Sequence, residues 1–235
     1  ISKATIARTN LGLLLNAINY ITDNRKVKHI YFEGNINSYT YADDGASLYD
    51  VLNLYNKRHD LVRDKLIKSM NDIDDLEDYI EKTEDVQLGM MVEKVKEYKN
   101  EIPAIIKSLK DLHTGDEERH KAKMIFSTVH RAKGMEYDVV YLVNDFIKEA
   151  DLEKPNATKK EGGYDIAKLN EEINLLYVAV TRTKNKLHIP ETLMPKNFPK
   201  SPLITIVKVE MEEEDFRRTT NKKEEQLPKI SGIRK

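Results

Sequence analysis

The stretch richest in chemistry is Ser127-Thr128-Val129-His130-Arg131-Ala132-Lys133-Gly134-Met135-Glu136-Tyr137-Asp138. It delivers hydroxyls, an imidazole and two cations directly after an apolar run that reads as a buried strand. In an open α/β sheet, ligands bind at the carboxyl edge of the strands. Thr128 and main-chain amides there suit phosphate oxygens, and Arg131 and Lys133 supply positive charge. Gly134 permits close approach of the backbone to a ligand, and Glu136 can accept hydrogen bonds from a sugar hydroxyl. The same residues read equally well as a polar loop with a solvated charge cluster.

A second stretch runs from Glu171 to Lys184. Ile173, Leu176, Tyr177 and Val180 share a helical face and most of their neighbours are apolar too. The pattern predicts a helix from Leu169 to about Thr183, buried nearly all round. Glu171 and Glu172 near its start, with Arg182, Lys184 and Lys186 near its end, complement the helix dipole. A buried helix ending in Thr181 and Arg182 also holds a planar, always-charged guanidinium on a rigid mount, suited to phosphate. Taken alone, the stretch reads first as ordinary dipole complementation.

These residues need a sheet to position them. Ala4–Ala7, His29–Phe32, Lys123–Ser127, Val139–Val143, Leu187–Ile189 and Leu203–Val207 are short apolar runs without alternation, as expected of parallel strands covered on both faces. Asn10 is a plausible N-cap for a helix through Leu11, Leu14, Leu15, Ile18 and Ile21, closing at Asp23-Asn24. From Ala46 to about His113 the period is helical. Its most regular part is Met91, Val95, Tyr98, Ile102, Ile105, Leu109 and Leu112. Pro103 argues against one long coiled coil and for an intramolecular helical hairpin. Residues 46–119 carry 12 Lys/Arg against 18 Asp/Glu, a poor composition for gripping phosphates. After Glu210 apolar residues are sparse, and a flexible charged tail is expected.

Composition narrows the field. With 235 residues, 40% hydrophobic and 34% charged, the chain can bury a core unaided. Zero Cys excludes disulfides, thiolate zinc sites and a thiol nucleophile. A net charge of −1 does not indicate a globally basic nucleic-acid binder. No apolar run approaches the roughly 18 residues of a membrane span, and no signal peptide is evident. The expectation is a cytoplasmic or nuclear domain without membrane contact. A start at Ile1 rather than Met suggests part of a longer chain.

Together, the two stretches resemble a known family. "STVHRAKGMEYDVVYL" is similar to motif V, and "EEINLLYVAVTRTKNKL" to motif VI, of superfamily 1 DNA helicases of the UvrD/Rep type, in the same order. "ATIARTN" resembles motif IV, and "HIYFEGNINSY" the segment after it. Asn174-Leu175-Leu176-Tyr177 and Leu48-Tyr49-Asp50-Val51-Leu52 resemble the F-box DNA helicase branch, although no F-box is present in this sequence.

The resemblance implies a RecA-like parallel sheet flanked by helices, the second motor lobe, with an inserted α-helical subdomain. The lobe would comprise 1–45 and 114–210. Residues 46–113 would be a reduced accessory subdomain offering a protein-binding surface, and 211–235 the tail. It further implies that Arg8 and Arg182 reach the γ-phosphate of ATP as catalytic arginines. Gly134 and Glu136 would touch the nucleotide, Glu136 on the ribose, while Thr128, His130 and Lys133 would hold DNA. Expected partners are single-stranded or duplex-junction DNA and the N-terminal RecA-like lobe of the same chain. Met135, Tyr137 and Thr183 depart from the usual Leu, Phe and Ala. None of the 9 Gly precedes a Lys, so this sequence has no P-loop. ATP and Mg²⁺ would be bound mainly by the first lobe, and the fragment alone is expected to be inactive, with no metal site of its own. Two other readings remain: part of a helicase–nuclease, or a non-catalytic nucleic-acid- or protein-binding remnant of a helicase.

Overall fold

In the computed structural model the described residues are 1–40, 46–83, 85–149, 159–160, 163–164, 166–195, 198–199 and 201–207. The expected tail at 211–235 lies outside them. The chain opens with β1 (Lys3–Ala7) and α1 (Asn10–Asp23), followed by β2 (Tyr31–Phe32) and α2 (Asn37–Thr40). Helices α3 (Leu48–Tyr55), α4 (Lys65–Lys68), α5 (Ile73–Thr83), α6 (Val86–Tyr98) and α7 (Ile102–Leu112) then lead to β3 (Ile125–Thr128) and β4 (Tyr137–Leu142). A small antiparallel pair, β5 (Lys159–Lys160) and β6 (Gly163–Tyr164), precedes α8 (Ile166–Val180), β7 (Thr183–Pro190) and β8 (Ile204–Val207).

Six strands form one sheet in the order β2-β3-β1-β4-β7-β8, and each neighbouring pair is parallel. Parallel strands need crossovers, and right-handed ones place helices on both faces. This is the α/β, RecA-like architecture that the motifs imply.

Each face has its own core. On one side α1 buries Leu13, Leu14, Ala17 and Ile18 over Phe126 and Phe32, and the same apolar cluster continues through α3 to α7. Residues of the helical insertion therefore share a core with the sheet. On the other side Ala4, Ile6, Val140, Leu187 and Ile189 meet the inward residues of α8.

Helix starts follow local chemistry. Thr9, rather than Asn10, caps α1: its Oγ1 accepts from the Gly12 amide at 2.9 Å. Thr9 wins because the same hydroxyl also donates to Asp145, so one side chain satisfies the helix and ties it to the sheet. Ser47 and Asp50 form a reciprocal capping box at α3. The heptad-like run from Met91 to Leu112 is divided at the 3₁₀ turn Lys99–Glu101, where Lys99 has φ +48°. Pro103 sits in the first turn of α7, where its missing N–H costs nothing.

The expected all-round burial of α8 is corrected. Ala179 is buried and Leu175, Leu176 and Val180 pack inward, but Ile173 is 44% and Tyr177 68% exposed. Only one flank of this apolar helix has a sheet beneath it among the described residues. The helix also begins at Ile166, three residues before the expected start, and ends at Val180. Glu172 therefore lies beyond the first turn, where the dipole effect has faded.

Candidate functional site

Register locates the two stretches. Thr128 ends β3 beside Ala7, the last residue of β1, at the carboxyl edge of the sheet. Tyr137 opens β4 beside Thr183, the first residue of β7, at the amino edge. Residues 129–136 therefore cross the sheet from one edge to the other, whereas the sequence suggested a single turn at the carboxyl edge. Val129 and Ala132, both 0% exposed, pin this crossover to the α8 face. The polar residues between and after them, His130, Arg131, Lys133 and Glu136, remain exposed.

At the carboxyl edge, the residue after β1 is Arg8. Its Nε and Nη2 donate to the two carboxylate oxygens of Glu172 at 2.8 and 2.7 Å. This fork holds the Glu172 carboxyl below the usual carboxylate range, with smaller contributions from Lys168 and His130. His130 is thus electrostatically coupled to the same cluster. The backbone around Arg8 is fixed independently. Asp145, following β4, accepts from the amides of Arg8 and Thr9 at 2.8 Å each and from Thr9 Oγ1 at 2.9 Å. Burial pushes the Asp145 pKa up, against the pull of these donors.

Thr128 is not presented to solvent: it is 5% exposed, buried at the end of β3. Its carbonyl accepts from the amides of Arg131 and Ala132, which starts the crossover turn. Arg131 turns away from the crossover, its guanidinium 5.9 Å from the centre of the Tyr39 ring and against Gly34.

At the amino edge, Gly134 has φ +83° and a Cβ there would meet nothing within 4 Å, so the loop is open beside it. Arg182 closes the end of α8: Nε donates to the Val178 carbonyl at 2.9 Å, and Nη2 to Thr181 Oγ1 at 3.1 Å. Nη1 donates to the Met135 carbonyl at 3.1 Å, joining the second stretch to the first. No carboxylate pairs with Arg182 among the described residues, and two of its five N–H groups are left over. Glu136 forms an exposed ion pair with Lys184 at 3.4 Å.

The fold therefore gathers Gly134, Glu136 and Arg182 at one edge, and Arg8 and His130 at the other with Glu172. Glu172 and Arg182 are ten residues apart, about 15 Å at 1.5 Å per helical residue. Among the described residues, no three His, Asp or Glu side chains cluster in a way that could hold a metal ion.

Sequence reasoning missed Glu172 as a partner of Arg8 and missed Asp145 altogether. An acid directly after a strand's carboxyl end was the one available signal for Asp145. It also missed Glu33, buried at 7%, which accepts from Arg119 and, at 3.1 Å, from the Tyr137 hydroxyl.

Most of the chain resembles known proteins. The UvrD-like helicase C-terminal domain model matches residues 14–193. F-box DNA helicase 1 of Gallus gallus is 29% identical over 157 residues, 63% of this chain and 15% of that protein. F-box DNA helicase protein 1 of Schizosaccharomyces pombe is 39% identical over 70 residues, 30% of this chain and 7% of that protein. The chain thus spans well under two thirds of the length of these curated relatives. Both motif-bearing stretches and four of the six parallel strands lie inside the matched span, and the chain belongs to the UvrD-like helicase C-terminal domain family, near its F-box helicase branch.

Proposed function

We propose that this chain is the second motor lobe of an ATP-dependent DNA helicase, working against a first RecA-like lobe that carries the P-loop. The observation that carries the reading is the bond from Arg182 to the Met135 carbonyl, which braces an unpaired guanidinium beside the open Gly134 loop. A triphosphate at that loop would meet the spare N–H groups of Arg182. ATP supplies the phosphoryl group whose transfer drives the motor. Arg182 would stabilise the charge on that group, and arginines in this role are worth about 10³–10⁵ in rate. Arg8 would need release from Glu172, and movement from the opposite edge of the sheet, to act as the second such arginine. Glu136 would face the ribose.

His130 and Lys133, both exposed, would contact single-stranded DNA, while buried Thr128 shapes the turn that presents them. Mg²⁺ would rest on the first lobe, beside the P-loop. The helical insertion, acidic and sharing the α1 core, would act as a reduced accessory subdomain contacting protein. A role in DNA repair or recombination follows from the same reading. In the described residues no helix is long and apolar enough to cross a membrane.

Arg182→Ala in the intact protein tests the reading. ATPase should fall by about three orders of magnitude while DNA affinity is retained. Near-normal turnover would overturn the assignment.

A further inference from the structure

The face of the sheet opposite α8 carries a groove of about 1240 Å³, larger than the roughly 300–1,000 Å³ of ordinary small-molecule pockets. It opens where α1 stops covering the strands. Thr5, Tyr141 and His188 line it from the sheet, and Tyr20 from α1. Alternation along the strands settles its position, since Ala4, Ile6, Val140 and Leu187 belong to the core under α8. The groove is therefore separated from the Arg182 and His130 surfaces by the sheet itself.

Its chemistry is uneven. Lys3, Arg25, Lys26 and Lys123 line it, all exposed and none ion-paired among the described residues. Lys121 also lines it but pairs with Glu118. Among the described residues the one lining carboxylate is Asp23. On a chain of net charge −1, this concentration of unopposed cations is a local feature.

The aromatic part is equally specific. Across four strands the register aligns Thr5, Tyr141, His188 and Thr205 in one row. Tyr141 and His188 stack with ring centres 4.2 Å apart and planes 12° from parallel. Thr205 is small, so no bulky neighbour in the row covers the outer face of the His188 ring. Burial, followed by the charges of Lys186 and Lys3, pushes the His188 pKa down, so the ring is a neutral aromatic platform.

We propose that this groove binds a single strand of nucleic acid, its phosphates on Lys3, Arg25, Lys26 and Lys123 and a base on the His188–Tyr141 stack. Cations tracking a backbone beside an aromatic platform are the requirements of single-strand binding. An acidic peptide would satisfy the cations but leave the platform without a role. A strand here would be a second contact on the far side of the sheet, and the inference does not depend on the motor reading.

Fluorescence anisotropy of a labelled oligothymidylate with the full 235-residue chain tests the inference, with no ATP present. Arg25→Glu with Lys123→Glu should weaken binding about tenfold or more and flatten the salt slope by about 1.4, the loss of two phosphate contacts. Both residues are exposed and unpaired, so thermal melting should not change. His188→Ala should weaken binding between about 5- and 150-fold, and His188→Phe, which keeps an aromatic ring for a base to stack on, should restore it. Unchanged affinity in the double variant would overturn the proposal. So would binding lost only in His130→Ala with Lys133→Ala, which would put the strand on the other face. Polyglutamate of matched charge binding as tightly, insensitive to His188→Ala, would make the groove an acidic-peptide site instead.

Discussion

Arg8 and Glu172 form a two-pronged ion pair, 2.7 and 2.8 Å, that bridges 164 positions of sequence and fastens the end of β1 to the second turn of α8. Their side chains are 26% and 21% exposed, so the pair is partly shielded from water. It raises the pKa of Arg8 and lowers that of Glu172. Stability from a depressed carboxylate is fully present above its ordinary value of 4.5 and is lost as pH falls through the lowered folded value. Glu172→Gln should cost about 1 kcal/mol at neutral pH, and the gap to the parent should close on acidification below 4.5. Urea unfolding across pH measures it; a gap that widens in acid would contradict the assignment.

Asp145 gathers the turn after β1 by accepting three hydrogen bonds, and Gly12 leaves room for it. A Cβ on Gly12 would lie 2.2 Å from Asp145 Oδ2. Glycine to alanine inside a helix normally stabilises by about 1 kcal/mol. In this protein Gly12→Ala should destabilise by about 1–3 kcal/mol, because the carboxylate must move. Asp145→Ala should cost about 1–3 kcal/mol by orphaning the Arg8 and Thr9 amides. In the Asp145→Ala background, Gly12→Ala should lose most of its penalty. Thermal melting of the four proteins completes the cycle.

Tyr137 stands where the helicase motif usually has Phe, and the structure gives its hydroxyl a partner. It is 1% exposed and donates to Glu33, and its pKa rises through burial and the Glu33 carboxylate. Tyr137→Phe should cost about 1 kcal/mol, and Glu33→Ala about 3 kcal/mol, since the latter strands both the buried hydroxyl and Arg119. With Glu33 already removed, Tyr137→Phe should cost nothing or stabilise. Equal costs of Tyr137→Phe in both backgrounds would show that the bond carries no energy.

Two glycines hold left-handed backbone for different reasons. Gly134, at φ +83°, faces open space, so Gly134→Ala should cost only the conformational penalty of about 1–2 kcal/mol. Gly34, at φ +87°, lies under the Arg131 guanidinium, 2.2 Å from where a Cβ would sit. Gly34→Ala should pay the same penalty plus about 0.5–1 kcal/mol as Arg131 leaves the Tyr39 ring. Urea titration should rank Gly34→Ala as the more damaging.

The strands were legible because parallel strands buried on both faces are short unbroken apolar runs. Pro103 announced the break in the helical insertion, which fell just before it, at Lys99–Glu101. The start of α8 was not legible. The helix starts at Ile166, ahead of the Ile173, Leu176, Tyr177 and Val180 repeat that marks it in the sequence, and this misplaced Glu172 in the first turn. Motif wording brought Arg8, Gly134 and Arg182 to attention, but not what they touch.

Local order, then, was written in the sequence by itself: apolar runs, helical period, turn residues and the helicase motifs depend on neighbours a few residues apart. Tertiary structure alone decided the rest. That residues 129–136 cross the sheet, that Arg8 rests on Glu172, that Thr128 faces inward, and that Tyr141 stacks on His188 are all products of strand order and register. Those follow from how six strands share two cores, and no spacing along the chain encodes which side chains then meet.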